Sequence, residues 1–313
     1  MKNIDISVVI PCYNSEETIP IVIEKIKGVL SQYSFEIICV NDNSQDNTLM
    51  VLKELCKKYS FVKLINFSQN FGQHAGLMAG LRHSCGNIVV CLDDDEQTDP
   101  TKIPLLLEKL NEGYDAVYAT YPKKKEKLFR TITSNFAQKT TEILLGKPKD
   151  VEMHSYYALV RYVVNEIIKY DKSYPFVAGL VLRTTKNIAN VEIEHKEREH
   201  GESNYNFAKL LGLWLNGFTA FSIKPLRISS LMGVGCASLG ALYGIYAIIN
   251  KILHPDLVIG YSSLICAILF IGGMIMVMLG LIGEYIGRIY IGINNAPQYV
   301  IKETVNLKGN EDD

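Results

Sequence analysis

A mostly parallel α/β domain followed by two membrane-spanning helices is what this sequence predicts, and three observations carry that reading. Up to about residue 200, short apolar runs alternate with helical stretches, the pattern of a sheet covered on both faces. Past residue 225 two stretches, Ile228–Ile249 and Val258–Ile282, run for about 22 and 25 residues without a charged side chain, enough to cross a bilayer core. The apolar run Ile88–Leu92 delivers Asp93 and Asp95 together at its C-terminal end, the edge at which open α/β sheets bind ligands.

Taken in order, Ile6–Ile10, Phe35–Val40, Val62–Asn66, Ile88–Leu92 and Ala116–Ala119 read as strands. Helices are expected near Pro20–Gln32, Asn47–Tyr59, Gln73–Ser84 and Lys102–Asn111. Tyr205–Ile223 is rich in Phe, Leu and Trp214 with Lys209 as its only charge, which fits either an interfacial helix or a core helix of the soluble part. In the apolar region, Gly240/Gly244 and Gly283/Gly287 are small-residue pairs of the kind that let helices approach closely. Lys224 and Arg227 precede the first span and Arg288 follows the second, a distribution that favours both ends in the cytoplasm. The resulting division is 1–203 for the α/β domain, 204–227 for juxtamembrane helices, 228–290 for the hairpin and 291–313 for a C-terminal extension.

A formal net charge of −1 over 313 residues gives no electrostatic footprint for nucleic acid. The seven cysteines include no C-x-x-C pair, and Cys12, Cys39, Cys85 and Cys91 lie in or beside apolar runs. They read as small core residues of a reducing compartment rather than a disulfide framework. His195 and His200, five residues apart with no cysteine near, are a poor zinc pair.

The chemistry concentrates at strand ends. Two carboxylates one residue apart, with the Gln97 amide close behind, form a hard-oxygen set suited to Mg²⁺ or Mn²⁺, ions that usually bridge to substrate phosphates. A solvated acidic turn is the plain alternative. The first strand ends in Pro11-Cys12-Tyr13-Asn14 and the second in Asn41-Asp42-Asn43-Ser44, so both tips open at the same edge as the acids. Tyr13 can stack on a base. Asp42 can accept hydrogen bonds from a base or ribose, or it caps the turn into the next helix. The loop Asn70–Gly76 offers backbone N–H groups to a ligand or close packing through Gly72, Gly76 and Gly80, with packing preferred. Lys123–Arg130 and Arg198–Tyr205 are basic features where an anionic substrate needs them.

Together these residues resemble glycosyltransferase family 2, of GT-A fold, and more narrowly its polyprenyl-phosphate glycosyltransferases. The resemblance spans nearly the whole chain, through Ser7–Asn14, Asn41–Asp46, Asn70–His74, Asp93-x-Asp95-x-Gln97, Arg198-x-x-Gly-x-Ser-x-Tyr205 and Leu281–Tyr290. It implies that Pro11, Tyr13, Val40 and Asp42, with Asp93 and Asp94, contact the nucleotide sugar. It implies Asp93, Asp95 and Gln97 as ligands of Mg²⁺ or Mn²⁺, with Asp95 and Arg198 as catalytic residues. Arg130, Arg198, Ser203 and Asn204 would meet phosphate or acceptor. The chain departs from the family's pattern at Asn41 and Asn43 in the second tip, at Asp94 between the acids, at Tyr121 after the fifth strand and at Asn204, where lysine is common. Tyr121 leaves Lys123, Lys124 or Arg130 to supply that charge.

The implied reaction moves one sugar from a nucleotide-diphosphate donor, UDP by resemblance, to undecaprenyl phosphate at the inner membrane face. A phosphate monoester carries about −1.5 to −2 charge near neutral pH, so it needs no strong protein base, and inversion at the anomeric carbon follows. A processive polysaccharide synthase is disfavoured because Trp214 follows Gly212 and Leu213 rather than the Gln-x-x-Arg of such enzymes. A non-catalytic membrane scaffold has no need of the acid set. Relatives of this kind form homotetramers, and Ala296–Val305 could add a strand between subunits.

Overall fold

The structure is a computed structural model, and it describes residues 4–95, 98–121, 147–193, 224–253, 261–293 and 297–307. It divides into two units, residues 1–210 with 295–313, and residues 211–294.

The first unit is built on an eight-stranded sheet. Its strands are β1 (Ile6–Cys12), β2 (Phe35–Asn41), β3 (Val62–Phe67), β4 (Ile88–Cys91), β5 (Ala116–Thr120), β6 (Tyr157–Val160), β7 (Ile188–Glu192) and β8 (Ile301–Val305), in spatial order β7-β5-β6-β4-β1-β2-β3-β8. Pairings β1/β2, β1/β4, β2/β3 and β5/β7 are parallel, while β6 and β8 run antiparallel to their neighbours. The five expected strands are all present. Unexpected are β6, which wedges between β4 and β5, and β7 at the edge.

Helix α1 (Ile19–Val29) begins with proline in its first turn and buries Ile19, Val22, Ile23 and Ile26, the stripe of an amphipathic helix. The same spacing buries Leu52, Leu55 and Cys56 of α2 (Thr48–Lys58) and Ile103, Leu106, Leu107 and Leu110 of α4 (Ile103–Asn111). These helices cover the sheet face that presents Ile37 and Cys39, whereas the alternate residues Ile38 and Val40 face α3 (Gln73–His83). Two further helices of the unit are described, α5 (Arg161–Ile167) and α6 (Val177–Thr184).

In α3 every residue from Ala75 to Leu81 is buried, and its glycines explain how it lies so close to β1. A Cβ on Gly80 would stand 2.2 Å from Val9 Cγ1, and one on Gly76 would stand 3.2 Å from Pro11 Cβ. The packing role expected for these two glycines holds. Gly72 is different: a Cβ there meets open space, but its φ of +88° lies in the left-handed region.

The chain's end forms a strand at the edge of the sheet. β8 pairs with β3 of its own sheet, Leu64 opposite Val305 and Ile65 opposite Thr304, and Tyr299 stacks on Phe67 with ring centroids 5.1 Å apart.

The second unit holds helices α7 (Lys224–Leu253) and α8 (Tyr261–Ile293). Among the described residues one helix is long and apolar enough to cross a membrane, through the window Phe270–Gly287 with mean hydropathy 1.8. The helices touch where Cys236 Sγ lies 3.3 Å from Met274 Sδ and where Gly233 faces Met278. The small-residue pairs picked out in the sequence are not at that contact: among the described residues a Cβ on Gly240, Gly244, Gly283 or Gly287 meets nothing within 4 Å. Periodicity locates small residues but not the helix face that is used.

Candidate active site

The sheet order fixes where a ligand goes. From β1 the chain winds to β2 and β3 on one side and to β4 on the other, so the crevice beyond the ends of β1 and β4 is the topological switch point. Pro11, Cys12, Tyr13, Asp42, Asn70, Gly72, Gln73, Asp93, Asp94 and Asp95 surround a cavity of about 320 Å³ at that crevice.

Tyr13 stands half-exposed on the rim. Its N–H donates to Asp94 Oδ2 at 3.0 Å, which ties the end of β1 to the end of β4. The next residue, Asn14, and Asn43 in the following loop both sit at φ 54°, a conformation asparagine tolerates. Their loops are clasped together: Asn14 N donates to Ser44 Oγ at 3.1 Å and Gln45 N to Asn14 Oδ1 at 2.8 Å.

Asp42 is 4 % exposed. Its two oxygens accept the N–H groups of Phe71 at 2.7 Å and Gly72 at 2.8 Å. It therefore does not cap α2, a task that Asp46 performs by accepting from Thr48 N at 3.1 Å. Two of the loop N–H groups that looked available to a ligand, those of Phe71 and Gly72, are spent on Asp42. Burial raises its carboxyl above the usual range, with the two N–H groups opposing that shift.

Asp93 is held on both oxygens, by Gln73 Nε2 at 2.6 Å and by the Ser155 hydroxyl. Burial, augmented by the charges of Asp95 and Asp94, pushes its carboxyl up to about 6 against those two hydrogen bonds. Asp94 is raised as well, again first by burial. Thr98 Oγ1 donates to the Asp93 carbonyl at 3.2 Å and bends the chain after the acids. Burial and the charges of Asp93 and Asp95 push the Tyr121 phenol up to about 12.

Gln73 also borders a second cavity of about 360 Å³, lined among others by His74, Tyr118, Lys147, Ser155, Tyr157 and Phe176. Burial lowers the His74 imidazole to about 4, so it is neutral at physiological pH, and its ring meets Phe176 edge-on at 5.3 Å. Among the described residues His74 Nδ1 and the Tyr118 hydroxyl have no hydrogen-bond partner. Both atoms belong to residues that line this cavity.

Of the candidate residues, the structure thus gathers Pro11, Tyr13, Asp42, Asp93, Asp94 and Asp95 around one cavity. Val40 is the correction: fully buried, it packs with Ile65, Phe67 and Ala75 beneath α3, because strand alternation turns it to that face. Gln97, Arg130, Arg198, Ser203 and Asn204 lie outside the described residues. Missed in the sequence were Gln73, which was read only as the start of α3, and Ser155, which precedes a strand too short to stand out.

The donor set fits a divalent cation by its chemistry. Asp93 and Asp95 offer hard oxygens, and burial with the charges of neighbouring acids raises Asp93 and Asp94, a cost that a bound cation would offset. Among the described residues no group of three or more His, Cys, Asp or Glu side chains closes a cage. Mg²⁺ commonly takes one or two carboxylates and leaves the remaining positions to substrate phosphates and water.

Residues 7–168 match the model of glycosyl transferase family 2, and residues 224–289 match that of the GtrB C-terminal hairpin. The chain belongs to glycosyltransferase family 2. This transferase is 35 % identical over 308 residues to the SfII prophage-derived bactoprenol glucosyl transferase of Shigella flexneri, covering 96 % of this chain and 98 % of that one. It is 31 % identical over 315 residues to undecaprenyl-phosphate 4-deoxy-4-formamido-L-arabinose transferase of Shewanella sediminis, covering 96 % and 93 %. Among solved structures it is similar to glucosyl-3-phosphoglycerate synthase from Mycobacterium tuberculosis, crystallised with Mn²⁺, UDP-glucose and phosphoglyceric acid, with a TM-score of 0.54, 21 % identity and coverage of 70 % and 78 %. That likeness establishes the GT-A fold of the transferase, a Rossmann-like α/β unit with a mostly parallel sheet.

Proposed function

We propose that this glycosyltransferase moves one sugar from a UDP-sugar to a polyprenyl phosphate, undecaprenyl phosphate by preference, at the inner face of the plasma membrane. The observation that carries the proposal is the convergence of Tyr13, Asp42 and the Asp93–Asp95 acids on one cavity at the switch point of the sheet. The family hairpin over residues 224–289 and full-length similarity to transferases named for bactoprenol and undecaprenyl phosphate support the lipid acceptor.

In this reading the nucleoside lies against Tyr13 with Asp42 below it, and the diphosphate reaches the acids. The sugar extends past Gln73 into the second cavity, where its hydroxyls meet His74 Nδ1 and the Tyr118 hydroxyl. A bound Mg²⁺ or Mn²⁺ would be held by Asp93, Asp95 and Gln97 and would neutralise charge on the departing diphosphate. The acceptor's phosphate oxygen attacks C1, the bond from C1 to the diphosphate breaks, its electron pair leaves with UDP, and the anomeric centre inverts. The acceptor arrives already deprotonated, which accords with a site whose histidine is neutral and buried. Arg198 and Ser203, with Arg130 and Asn204, are assigned to the phosphates. Helices α7 and α8 both cross the bilayer, with the sheet domain in the cytoplasm.

The test is product formation by the purified full-length protein from radiolabelled UDP-sugars, undecaprenyl phosphate and Mn²⁺ or Mg²⁺, resolved by chromatography. A labelled lipid that forms only with polyprenyl phosphate present supports the reading. Transfer to water or to a growing polymer, or none with any UDP-sugar, refutes it.

A further inference from the structure

A chain of hydrogen bonds connects the last strand to the loop that carries Tyr13. Asn66 Nδ2 donates to Glu303 Oε1 at 3.1 Å, and Asn41 Nδ2 donates to Asn66 Oδ1 at 2.7 Å. Ser44 Oγ donates to Asn41 Oδ1 at 2.6 Å and accepts the Asn14 N–H at 3.1 Å. Asn41 and Asn66 are 1 % and 3 % exposed, so water cannot readily replace either partner.

The polarity of such a chain has to be set from one end. A carboxamide has the same shape with its oxygen and nitrogen exchanged, and a hydroxyl can donate or accept. A carboxylate can only accept. Glu303 is paired with Lys53 at 2.8 Å, and the Lys53 hydrogen bond is the first of the influences that hold its carboxyl below the usual range, so at neutral pH it offers lone pairs alone. Asn66 must then turn its NH₂ toward Glu303 and its oxygen inward. Asn41 in turn donates to Asn66 and shows its oxygen to Ser44. The single hydroxyl proton of Ser44 is thereby satisfied by Asn41 while its oxygen accepts the Asn14 N–H; in the reverse polarity Ser44 would have to accept from both Asn41 and Asn14, and its own proton would lose that acceptor. Asn14 needs that hold, since it sits at φ 54° directly after Tyr13.

We propose that Glu303, on the strand that returns after the hairpin, is a positioning residue for the donor nucleotide: it sets the polarity of the Asn66–Asn41–Ser44 chain that fixes the loop presenting Tyr13. This rests on the reading that places the nucleoside against Tyr13. It goes beyond that reading in making the nucleotide loop depend on a residue that follows the membrane hairpin in the chain.

The experiment measures UDP affinity by calorimetry, with Mn²⁺ present, on the full-length protein in detergent. Glu303→Lys replaces an acceptor by a donor and opposes the polarity; it is expected to weaken UDP by about fivefold, equivalent to one net hydrogen bond. Lys53→Met removes the ion pair but keeps the carboxylate, and should hold the affinity within about twofold. The double variant Glu303→Lys/Asn66→Asp restores an inward-facing oxygen, because the new ammonium can donate to one oxygen of the new carboxylate while Asn41 donates to the other. Its affinity should return to within about twofold of the wild type. A role confined to stability predicts no such rescue. Unchanged affinity in Glu303→Lys, or a double variant as weak as the single one, overturns the proposal. Tyr13→Ala separates the two readings. If it weakens UDP while Glu303→Lys does not, the relay alone fails; if it leaves UDP binding untouched, the nucleoside placement fails and the relay's role with it.

Discussion

Gly72 donates its backbone N–H to Asp42 Oδ2 at 2.8 Å from a φ of +88°. A carboxylate at the end of β2 thereby holds the one residue before α3 whose backbone an L side chain would strain. The contact shapes the cavity floor, since both residues line it.

Replacing Asp42 by Asn removes one of the two carboxylate acceptors and leaves either the Phe71 or the Gly72 N–H unsatisfied. The expected cost is about 1–3 kcal/mol of stability, together with a raised KM for the nucleotide sugar. Denaturant titration and donor kinetics on one preparation would check both. Unchanged stability with a raised KM would mean that Asp42 acts on the ligand and not on the loop.

Gly80 tests the packing of α3 on β1. A methyl there overlaps Val9 Cγ1, so Gly80→Ala should destabilise by about 1–3 kcal/mol. Val9→Ala in the same chain should recover part of that loss. Two losses that simply add would contradict the direct contact.

For the acids, Asp95→Ala is expected to lower kcat by about 10²–10³ if it helps stabilise the leaving diphosphate. A chelator should abolish transfer reversibly, with recovery on adding Mn²⁺ or Mg²⁺. Full activity in the presence of chelator would remove the metal from the mechanism.

The His74 imidazole carries a pH dependence whose sign follows from its burial. It titrates at about 4 in the folded chain and near 6.5 when unfolded. As pH falls below about 6.5 the unfolded chain binds a proton that the folded chain refuses, so stability drops until the pH reaches about 4, by about 3 kcal/mol in all. His74→Gln should flatten that part of the profile. Thermal midpoints of the wild type and the variant from pH 7 to pH 4 would show it, and parallel curves would count against a buried neutral ring.

Much of the sheet domain was legible because its signals are local. Apolar runs marked β1 to β5 within a residue or two, and the burial spacing of α1, α2 and α4 follows helical periodicity directly. Strand β6 escaped notice since its four residues, Tyr157–Val160, carry too short a pattern. β8 was read as a strand without its partner, because pairing with β3 spans 234 or more positions of sequence separation, as the Asn66–Glu303 contact at 237 illustrates.

The site divides along the same line. That Tyr13, Asp42 and Asp93–Asp95 share one edge follows from parallel strands ending on one side, and sequence order suffices to say so. Which of them face the cavity is another matter. Val40 is sent into the core by alternation, Asp42 is committed to Phe71 and Gly72, and Asp93 is gripped by Gln73 and Ser155.

By itself, then, the sequence determined the element types, the edge at which the chemistry sits and the family, since strand period, helix period and strand-end residues are properties of neighbouring positions. Only the tertiary structure decided which oxygens are already occupied, where Ser155 and Glu303 enter, and which glycines meet a neighbour. Those depend on contacts between residues distant in the chain, where a hydrogen bond's direction and a few tenths of an ångström are set by the packing of whole elements.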